Sequence, residues 1–360
     1  MPETRLLVQL VRIAIGRQES FDRIPDEQEW RAIYKEAKKH AILGVCCRGM
    51  MLLPKEQMPE MTLKVRMGFL ADEIRARNTS VNSHIIEICG WLKDLGLDSC
   101  VLKGQGFALF YPDPGMRTPG DIDIWVNADV RTTLRALKTR WQLNRVFYHH
   151  TDIHPFDDGT EVEIHFHPSW MNGFISDRRL RNYIGNTVGE QFGRKECCWG
   201  FVTPSVEFDC VVCAVHILRH LLAEGIGLKQ ILDYYHILLH SSSEERQHAL
   251  VILQSLQMDR FLGALMYVEK SLFLLDDEYL LCQPDAEWGE FLLDEIFIAG
   301  NFGKYDSRHH YNPNESIIKR AFSRLTRLVR YFGIAPGEVL WAPVFKVWQH
   351  LWRYWIKMTH

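Results

Sequence analysis

The chain has 360 residues, of which 47% are hydrophobic and 24% charged, the composition of a globular protein with a substantial core. Its 42 basic and 45 acidic residues give a formal net charge of −3, which argues against a strongly basic nucleic-acid-binding protein and against a disordered acidic tail. The nine cysteines have no regular spacing, the start carries no secretory signal, and no apolar run reaches the roughly 18 residues of a membrane span. These features predict a cytoplasmic protein with reduced thiols.

The hydrophobic pattern divides the chain into three segments. Residues 1–95 carry apolar side chains at helical spacing and predict an N-terminal helical region. Residues 96–200 alternate short apolar runs with glycine and proline and predict a small α/β core. Residues 201–360 return to the helical period and predict a C-terminal helical domain. The expected fold is therefore α+β, a small mixed-sheet core flanked by N-terminal helices and a larger C-terminal helical domain.

Within the core, four runs are strand-like and two are helical. The strand-like runs are LDSCVLKG, GDIDIWV, VFYHH and TEVEIHFHP, and the helical ones are GFALFYPDP and RTTLRALKTRW.

Acidic residues alternate with apolar residues in two of these strands. Asp121 and Asp123 share one face of the first, while Ile122 and Ile124 point to the other. Glu163 repeats the pattern on the second. If the two strands are neighbours, three carboxylates converge and form a hard-oxygen site for Mg²⁺ or Mn²⁺, which suits phosphoryl or nucleotidyl transfer. The alternative is a solvated face of an amphipathic sheet.

A glycine-containing turn precedes the first acidic strand. Gly104 and Gly106 permit close backbone approach, and a helix starting near Gln105 presents free N–H groups to a phosphate. Lys103 and Arg117 add positive charge near the same place. The alternative is a plain strand-to-helix turn with surface bases.

The combined pattern resembles a known enzyme family. The phrases LKGQGFALFYPDPGMRTPGDIDIWV and EVEIHFHP, followed by HILRHLLAEGIGLKQILDYYHILLH, are similar to an uncharacterised bacterial nucleotidyltransferase-like family within the DNA polymerase β-like superfamily. The resemblance implies that Asp121 and Asp123 are metal ligands and that Glu163 is the third acid, as ligand or base. It also implies a phosphate-facing turn at Gly104, although Gln105 stands where the broader superfamily has Ser or Gly.

The helical part contributes further candidates. Lys229 and Asp233 are four residues apart and either pair with each other or leave Lys229 or Gln230 to contact a nucleotide. His165 and His167 are expected on the Glu163 face, as hydrogen-bond donors to a carboxylate or as a general base.

Zinc-type residues occur together in one predicted helix. Cys210, Cys213, His216 and His220 span a helix that rises about 1.5 Å per residue, so they spread over roughly 15 Å and do not suit one tetrahedral ion. His216 and His220 share a face and either line the cleft or belong to the core.

The C-terminal segment carries an aromatic stripe at helical spacing. We expect it to be buried against the helical domain, with membrane-surface or partner binding as the alternative. The stripe comprises Trp341, Phe345, Trp348, Trp352 and Trp355.

The leading hypothesis is a metal-dependent nucleotidyltransferase that moves an NMP from an NTP, with ATP the expected donor, to an unidentified acceptor. Its expected metal and catalytic residues are Asp121, Asp123 and Glu163, with Mg²⁺ or Mn²⁺, and its expected nucleotide-binding residues are Lys103, Gly104, Gln105, Arg117 and Lys229. The rivals are a non-catalytic nucleotide- or partner-binding module on the same fold and a metal phosphohydrolase. A nucleic acid is the less favoured partner, and a partner protein stays open.

Overall fold

A computed structural model describes residues 2–143, 145–308 and 325–359 of the chain. Helices of five or more residues in these ranges are α1 (Pro2–Ala14), α2 (Glu27–Lys39), α3 (Leu43–Leu52), α4 (Met61–Asp94), α5 (Gly104–Ala108), α6 (Val130–Leu137), α7 (Phe174–Phe192), α8 (Val206–Ala223), α9 (Leu228–His240), α10 (Ser243–Ser255), α11 (Asp259–Phe273), α12 (Ala286–Ala299) and α13 (Pro336–Thr359). Residues 325–330 are also helical. No helix of these described ranges is long and apolar enough to cross a membrane.

The strands form a four-stranded mixed sheet in the order β1-β2-β4-β3. They are β1 (Ser99–Leu102), β2 (Ile122–Val126), β3 (His150–Ile153) and β4 (Val162–His165). β2 runs antiparallel to β1 and parallel to β4, and β3 closes the other edge antiparallel to β4. The predicted α+β class, a small mixed sheet between helical flanking regions, is confirmed.

The two faces of the sheet are covered differently because side chains alternate along each strand. Ile122, Ile124 and Ile164 point to the face packed against α4 and α6. On the opposite face, Trp125 stacks on Phe208 of α8 with ring centroids 5.5 Å apart. The acidic residues of β2 and β4 therefore face the C-terminal helices and not open solvent.

The helices begin where the sequence offers side-chain caps. Asp26 caps α2 and Ser242 caps α10, each in a reciprocal capping box with the glutamate three residues on. One buried hydrophobic cluster contains side chains from α1, β1 and α8 alike. The division at 95/96 and 200/201 stays a prediction, and this shared cluster joins all three segments.

Two local expectations are wrong. The predicted strand VFYHH is mostly a tight turn, because the Phe147 N–H donates to the His150 carbonyl at 2.8 Å and the strand begins only at His150. Three members of the aromatic stripe of α13 pack against the α/β core and not against the helical domain, whereas Trp341 and Trp355 are 41% and 48% exposed. The three packed rings surround Tyr148 at centroid distances of 4.9 to 5.8 Å, and they belong to Phe345, Trp348 and Trp352.

Candidate active site

A cavity of about 340 Å³ lies between the polar face of the sheet and helices α8 and α9. One wall comes from the β1–α5 turn, β2, β4 and the turn before β3. The other wall comes from α8 and α9 and carries Arg219, His216 and Lys229. We call the first the acidic wall, because it carries Asp121, Asp123 and Glu163, and the second the basic wall, because it carries Arg219 and Lys229, although Asp233 and Glu224 also belong to it. The cavity brings together residues that are more than 100 positions apart in sequence.

The register of β2 and β4 sets two of the predicted carboxylates side by side. Asp123 lies directly opposite Glu163 across the parallel pair. Asp123 is 4% exposed, whereas Asp121 precedes the strand, lines the same cavity and is exposed. All three predicted acids therefore meet at one cavity wall.

Asp123 is neutralised by two cationic side chains. Its Oδ1 atom lies 2.7 Å from Lys103 Nζ and 2.8 Å from His165 Nε2. Burial alone would raise the pKa of Asp123, but the ammonium of Lys103 and the hydrogen bond from His165 outweigh it and hold the pKa well below its usual range. Asp123 is thus ionised, and both cations contact its Oδ1 atom.

His165 bridges the two carboxylates. Its Nε2 also lies 3.1 Å from Glu163 Oε2. Burial opposes its charge, but the hydrogen bonds to Asp123 and Glu163 raise its pKa to about 9. His165 is therefore an imidazolium at neutral pH and acts as a donor to the acids, not as a general base. His167 does not share this face, because β4 ends at His165, and its ring packs on Tyr148 instead.

The backbone at the β1–α5 turn is left-handed at two successive residues. Lys103 has φ 44° and Gly104 has φ +40°, a conformation that favours glycine and strains lysine. It turns the Lys103 side chain onto β2, where only 12% of it is exposed. Helix α5 has five residues, so its dipole is small. Gln105 does not line the cavity: its amide donates to Asn82 of α4 at 2.7 Å.

Arg117 and Asp233 form a buried bidentate ion pair. Arg117 Nε and Nη2 each lie 2.7 Å from an oxygen of Asp233, and the Tyr111 hydroxyl donates to the same carboxylate at 2.7 Å. The predicted Lys229–Asp233 pairing is therefore replaced by one that joins α9 to the segment before β2. The Nη1 atom of Arg117 is buried and has no hydrogen-bond partner among the described residues.

Two oppositely charged groups on the cavity wall have shifted pKa values. The negative charge of the neighbouring Asp123 raises the pKa of Asp121 to about 6. Burial and the charge of Arg117 lower the pKa of Lys229 to about 8. Both groups are poorly compensated by the protein, which suits a wall that receives charged ligands.

The histidines of α8 lie at this cavity. His216 and His220 line it, with ring centroids 4.2 Å apart, whereas Cys210 is buried in the hydrophobic core. Cys213 also lines this cavity, so three of the four zinc-type side chains of α8 lie at one wall.

Comparison with known proteins identifies the family. A family profile described as an uncharacterised nucleotidyltransferase matches residues 26–273, well over half of the chain. The chain belongs to this nucleotidyltransferase family. The resemblance read from the sequence is confirmed, and the match includes all of the residues expected at the site. A search of curated proteins finds no match.

Among solved structures, an antigenic nucleotidyltransferase-like protein from Paracoccidioides brasiliensis is similar at 17% identity. The alignment covers 52% of this chain and 93% of that chain, with a TM-score of 0.28. A likeness of that size says nothing about the activity of this nucleotidyltransferase family member.

Sequence reasoning missed four residues at this cavity. His149 and His150 fall in the run taken for a strand, so their ring positions were not foreseen. Trp170 is held between His149, with ring centroids 3.7 Å apart, and the guanidinium of Arg219, 3.2 Å from the ring centroid. The paired histidines in VFYHH were the one available signal; nothing local pointed to Arg219.

Lys103→Met is expected to lower the free energy of unfolding by about 2 kcal/mol in the absence of any nucleotide. The substitution keeps the apolar stem but leaves Asp123 with His165 as its only close cation. The earlier view of a solvated loop lysine predicts almost no change. Urea unfolding of both proteins decides between them, with Lys35→Met on the exposed face of α2 as the matched control.

Proposed function

We propose that this cavity binds a nucleoside triphosphate and that the protein transfers its NMP group to an acceptor hydroxyl. The observation that carries the proposal is the β2–β4 register, which sets Asp123 beside Glu163 opposite a basic wall. Membership of a nucleotidyltransferase family supports the same reaction class.

The donor atoms on the acidic wall fit a divalent cation. Ligand atoms of Asp123, Glu163 and His165 lie within 4.8 Å of one another. Within the described chain, Asp121 makes no side-chain hydrogen bond and keeps both oxygens available. Mg²⁺ or Mn²⁺ held by Asp121, Asp123 and Glu163 would neutralise phosphate charge and activate the acceptor hydroxyl. His165, as an imidazolium, orients the two acids.

Cationic side chains on both sides of the cavity can meet the triphosphate. Lys229 extends from α9 into the cavity and, with a pKa of about 8, is mostly protonated at neutral pH. Arg117 is fixed by Asp233 through two of its nitrogens and keeps Nη1 for a ligand oxygen. Lys103 stays on Asp123 and balances the acids. Gln105 leaves the proposed set, since its side chain points to α4.

ATP is the donor we expect, and Glu163 serves either as a ligand or as the group that accepts the hydroxyl proton. Glu163 suits both roles because its side chain is 26% exposed toward the cavity, while Asp123 is 5% exposed.

Asp121→Asn is the sharpest test of this function. We expect it to reduce transfer of label from an α-labelled NTP at least about 100-fold, which corresponds to about 2.7 kcal/mol of lost transition-state stabilisation. It should also abolish the rise in melting temperature that NTP and Mg²⁺ give together. Asp121 is preferred over Asp123 for this test, because Asp123→Asn also strands Lys103 and His165 in the interior.

The control is Asp157→Asn, the same chemical change at an exposed position outside the cavity. Wild-type rates in Asp121→Asn, or no stabilisation of the wild type by any of the four NTPs, would contradict the proposal. Release of NMP to water without an acceptor would point to a hydrolase instead.

A non-catalytic binding module is the second candidate, and one observation favours it. Asp123, the central acid, is already neutralised by Lys103 and His165 without any metal ion. A site balanced in this way can bind a nucleotide through its basic wall alone. Stabilisation by NTP that needs no divalent cation, together with no transfer to any acceptor, would establish that function.

A further inference from the structure

The C-terminal helix α13 exposes a row of apolar side chains that is distinct from its aromatic stripe. Each member of this apolar row is between 47% and 71% exposed. The members follow one another at intervals of four, three, four, three and four residues, so they lie along one side of the helix. From the first to the last the helix rises about 27 Å. The apolar row consists of Leu340, Val344, Val347, Leu351, Tyr354 and Met358.

The exposed apolar surface continues onto two neighbouring helices. Trp341 contacts Phe174 at the start of α7 edge-on, with ring centroids 5.2 Å apart, and the next residue, Ile175, is 67% exposed. Trp355 is 48% exposed, and the guanidinium of Arg131 on α6 lies 4.8 Å from its ring centroid. A connected apolar surface of this kind on a folded protein marks an interaction site.

A row of basic residues runs beside the apolar row. Lys346, His350 and Arg353 are exposed, and Lys357 continues the same spacing in the sequence. These positions lie about 100° around the helix from the apolar row. Residues 339–360 contain no Asp or Glu. Glu338 is 6% exposed and accepts two backbone N–H groups, so it adds no negative charge to this surface.

We propose that this face of α13 binds the surface of an anionic lipid bilayer, with the apolar row among the acyl chains and the basic row among the headgroups. A helix with bulky apolar and tryptophan side chains on one side and Lys and Arg at the border is of the kind that lies in the bilayer interface. The long stems of Lys and Arg allow their charges to reach the headgroups. The inference needs no nucleotide and goes beyond the proposed function.

The positive border favours a bilayer over other occupants of this face. The spacing of the apolar row also suits packing against a second helix. A second copy of α13, however, would bring Lys346 and Arg353 near the same cations, with no acid in residues 339–360 to pair with them. Residues 309–324, outside the described ranges, contain three Lys or Arg and one Glu, so their charge is also positive. Anionic phospholipid headgroups supply the opposite charge.

Co-sedimentation of the full-length protein with lipid vesicles tests this inference. The vesicles are phosphatidylcholine with about 30% phosphatidylserine, and phosphatidylcholine alone. We expect binding to the phosphatidylserine vesicles that is at least about tenfold weaker on phosphatidylcholine alone and that falls as salt is added.

The double variant Val347→Ser with Leu351→Ser should weaken vesicle binding at least about tenfold, because it removes apolar area that would enter the bilayer. The two side chains are 64% and 63% exposed, so the fold loses little. The matched control is Val251→Ser with Ile24→Ser, which removes the same number of atoms at 57% and 62% exposed positions outside α13 and should bind as the wild type does.

Arg353→Gln tests the basic row. It should weaken binding to phosphatidylserine vesicles about fivefold, the effect of one Lys or Arg near an anionic surface. Arg77→Gln, an exposed position on α4, is its control. Equal binding to both kinds of vesicle, or full binding by the serine variant of the apolar row, would overturn the inference. A dimer that the serine variant converts to monomer, in a protein that does not bind vesicles, would make a second copy the occupant and would also overturn it.

Discussion

Asp233→Ala is expected to lower the free energy of unfolding by about 3–5 kcal/mol, because it leaves the Arg117 guanidinium buried without a counter-charge. The pair is bidentate, with both N–O distances 2.7 Å and both side chains about 5% exposed. Tyr111 loses its hydrogen-bond acceptor in the same step. Urea unfolding of wild type and variant measures the effect.

The control for this prediction is an exposed ion pair. Asp277→Ala removes the partner of Lys270 where the side chains are 49% and 76% exposed, and pairs of that kind contribute about 0–1 kcal/mol. A double variant, Arg117→Met with Asp233→Leu, should lose less stability than Asp233→Ala, since no unpaired charge remains. Equal losses in the free energy of unfolding for all three variants would show that the buried ion pair contributes no more to stability than an exposed one.

The same ion pair has a consequence for the site. It ties α9, which carries Lys229, to the segment that leads into Asp121 and β2. The two walls of the cavity are thus tied together by an ion pair whose two members, Arg117 and Asp233, themselves line the cavity. Loss of Asp233 should therefore weaken nucleotide binding even under conditions where the variant stays folded.

The acidic wall could be predicted from the sequence because the alternation of acidic and apolar side chains is visible within a single strand. Asp121 and Asp123 alternate with Ile122 and Ile124, and alternate side chains share a face in any strand. That the second acidic strand would lie next to the first was an assumption, and the observed β2–β4 pairing bears it out. The Asp123–Glu163 register depends on strand pairing and is not visible in either segment alone.

The contacts that the sequence did not predict are long-range. Asp233 is four residues from Lys229, which made a helical pair plausible, but its partner Arg117 is 116 positions away. Gln105 sits in a turn that resembles a phosphate loop, yet its side-chain amide donates a hydrogen bond to Asn82 on α4, 23 positions earlier in the sequence. Both side chains form a tertiary hydrogen bond in place of the contact that the local pattern predicted. A buried polar group without a hydrogen bond costs free energy, so the buried partner is preferred.

The position of Lys103 shows the same limit. Its side chain was expected either near a phosphate or on the surface of a plain strand-to-helix turn. The left-handed backbone at Lys103 directs the side chain to Asp123 instead. Backbone strain of this kind depends on the surrounding fold, so a sequence pattern of Lys followed by Gly does not reveal it.

A buried acid far from the cavity should make the stability of the protein depend on pH. Glu269 on α11 is 0% exposed, and neither of its carboxylate oxygens has a hydrogen-bond partner among the described residues. Burial therefore raises the pKa of Glu269 well above its usual value. The titratable groups within electrostatic range of Glu269 are Tyr234 and Tyr235 of α9 and Cys213 of α8. Burial raises the pKa of each of these acids, so all three are neutral, and none carries a positive charge that could stabilise the carboxylate.

Glu269→Gln is expected to remove this dependence. In the wild type the carboxyl ionises in the unfolded chain near its ordinary pKa but stays protonated in the fold, so stability falls as pH rises between those two values, by up to about 1.4 kcal/mol per pH unit. Below the ordinary pKa the two proteins should differ by less than about 1 kcal/mol, and the variant should become the more stable one as pH rises. Urea unfolding at several pH values from 4.5 to 7.5 tests this, with Glu278→Gln as the same change at an exposed position. Parallel pH profiles for wild type and Glu269→Gln would mean that Glu269 is ionised in the fold, with a counter-charge that the described residues do not supply.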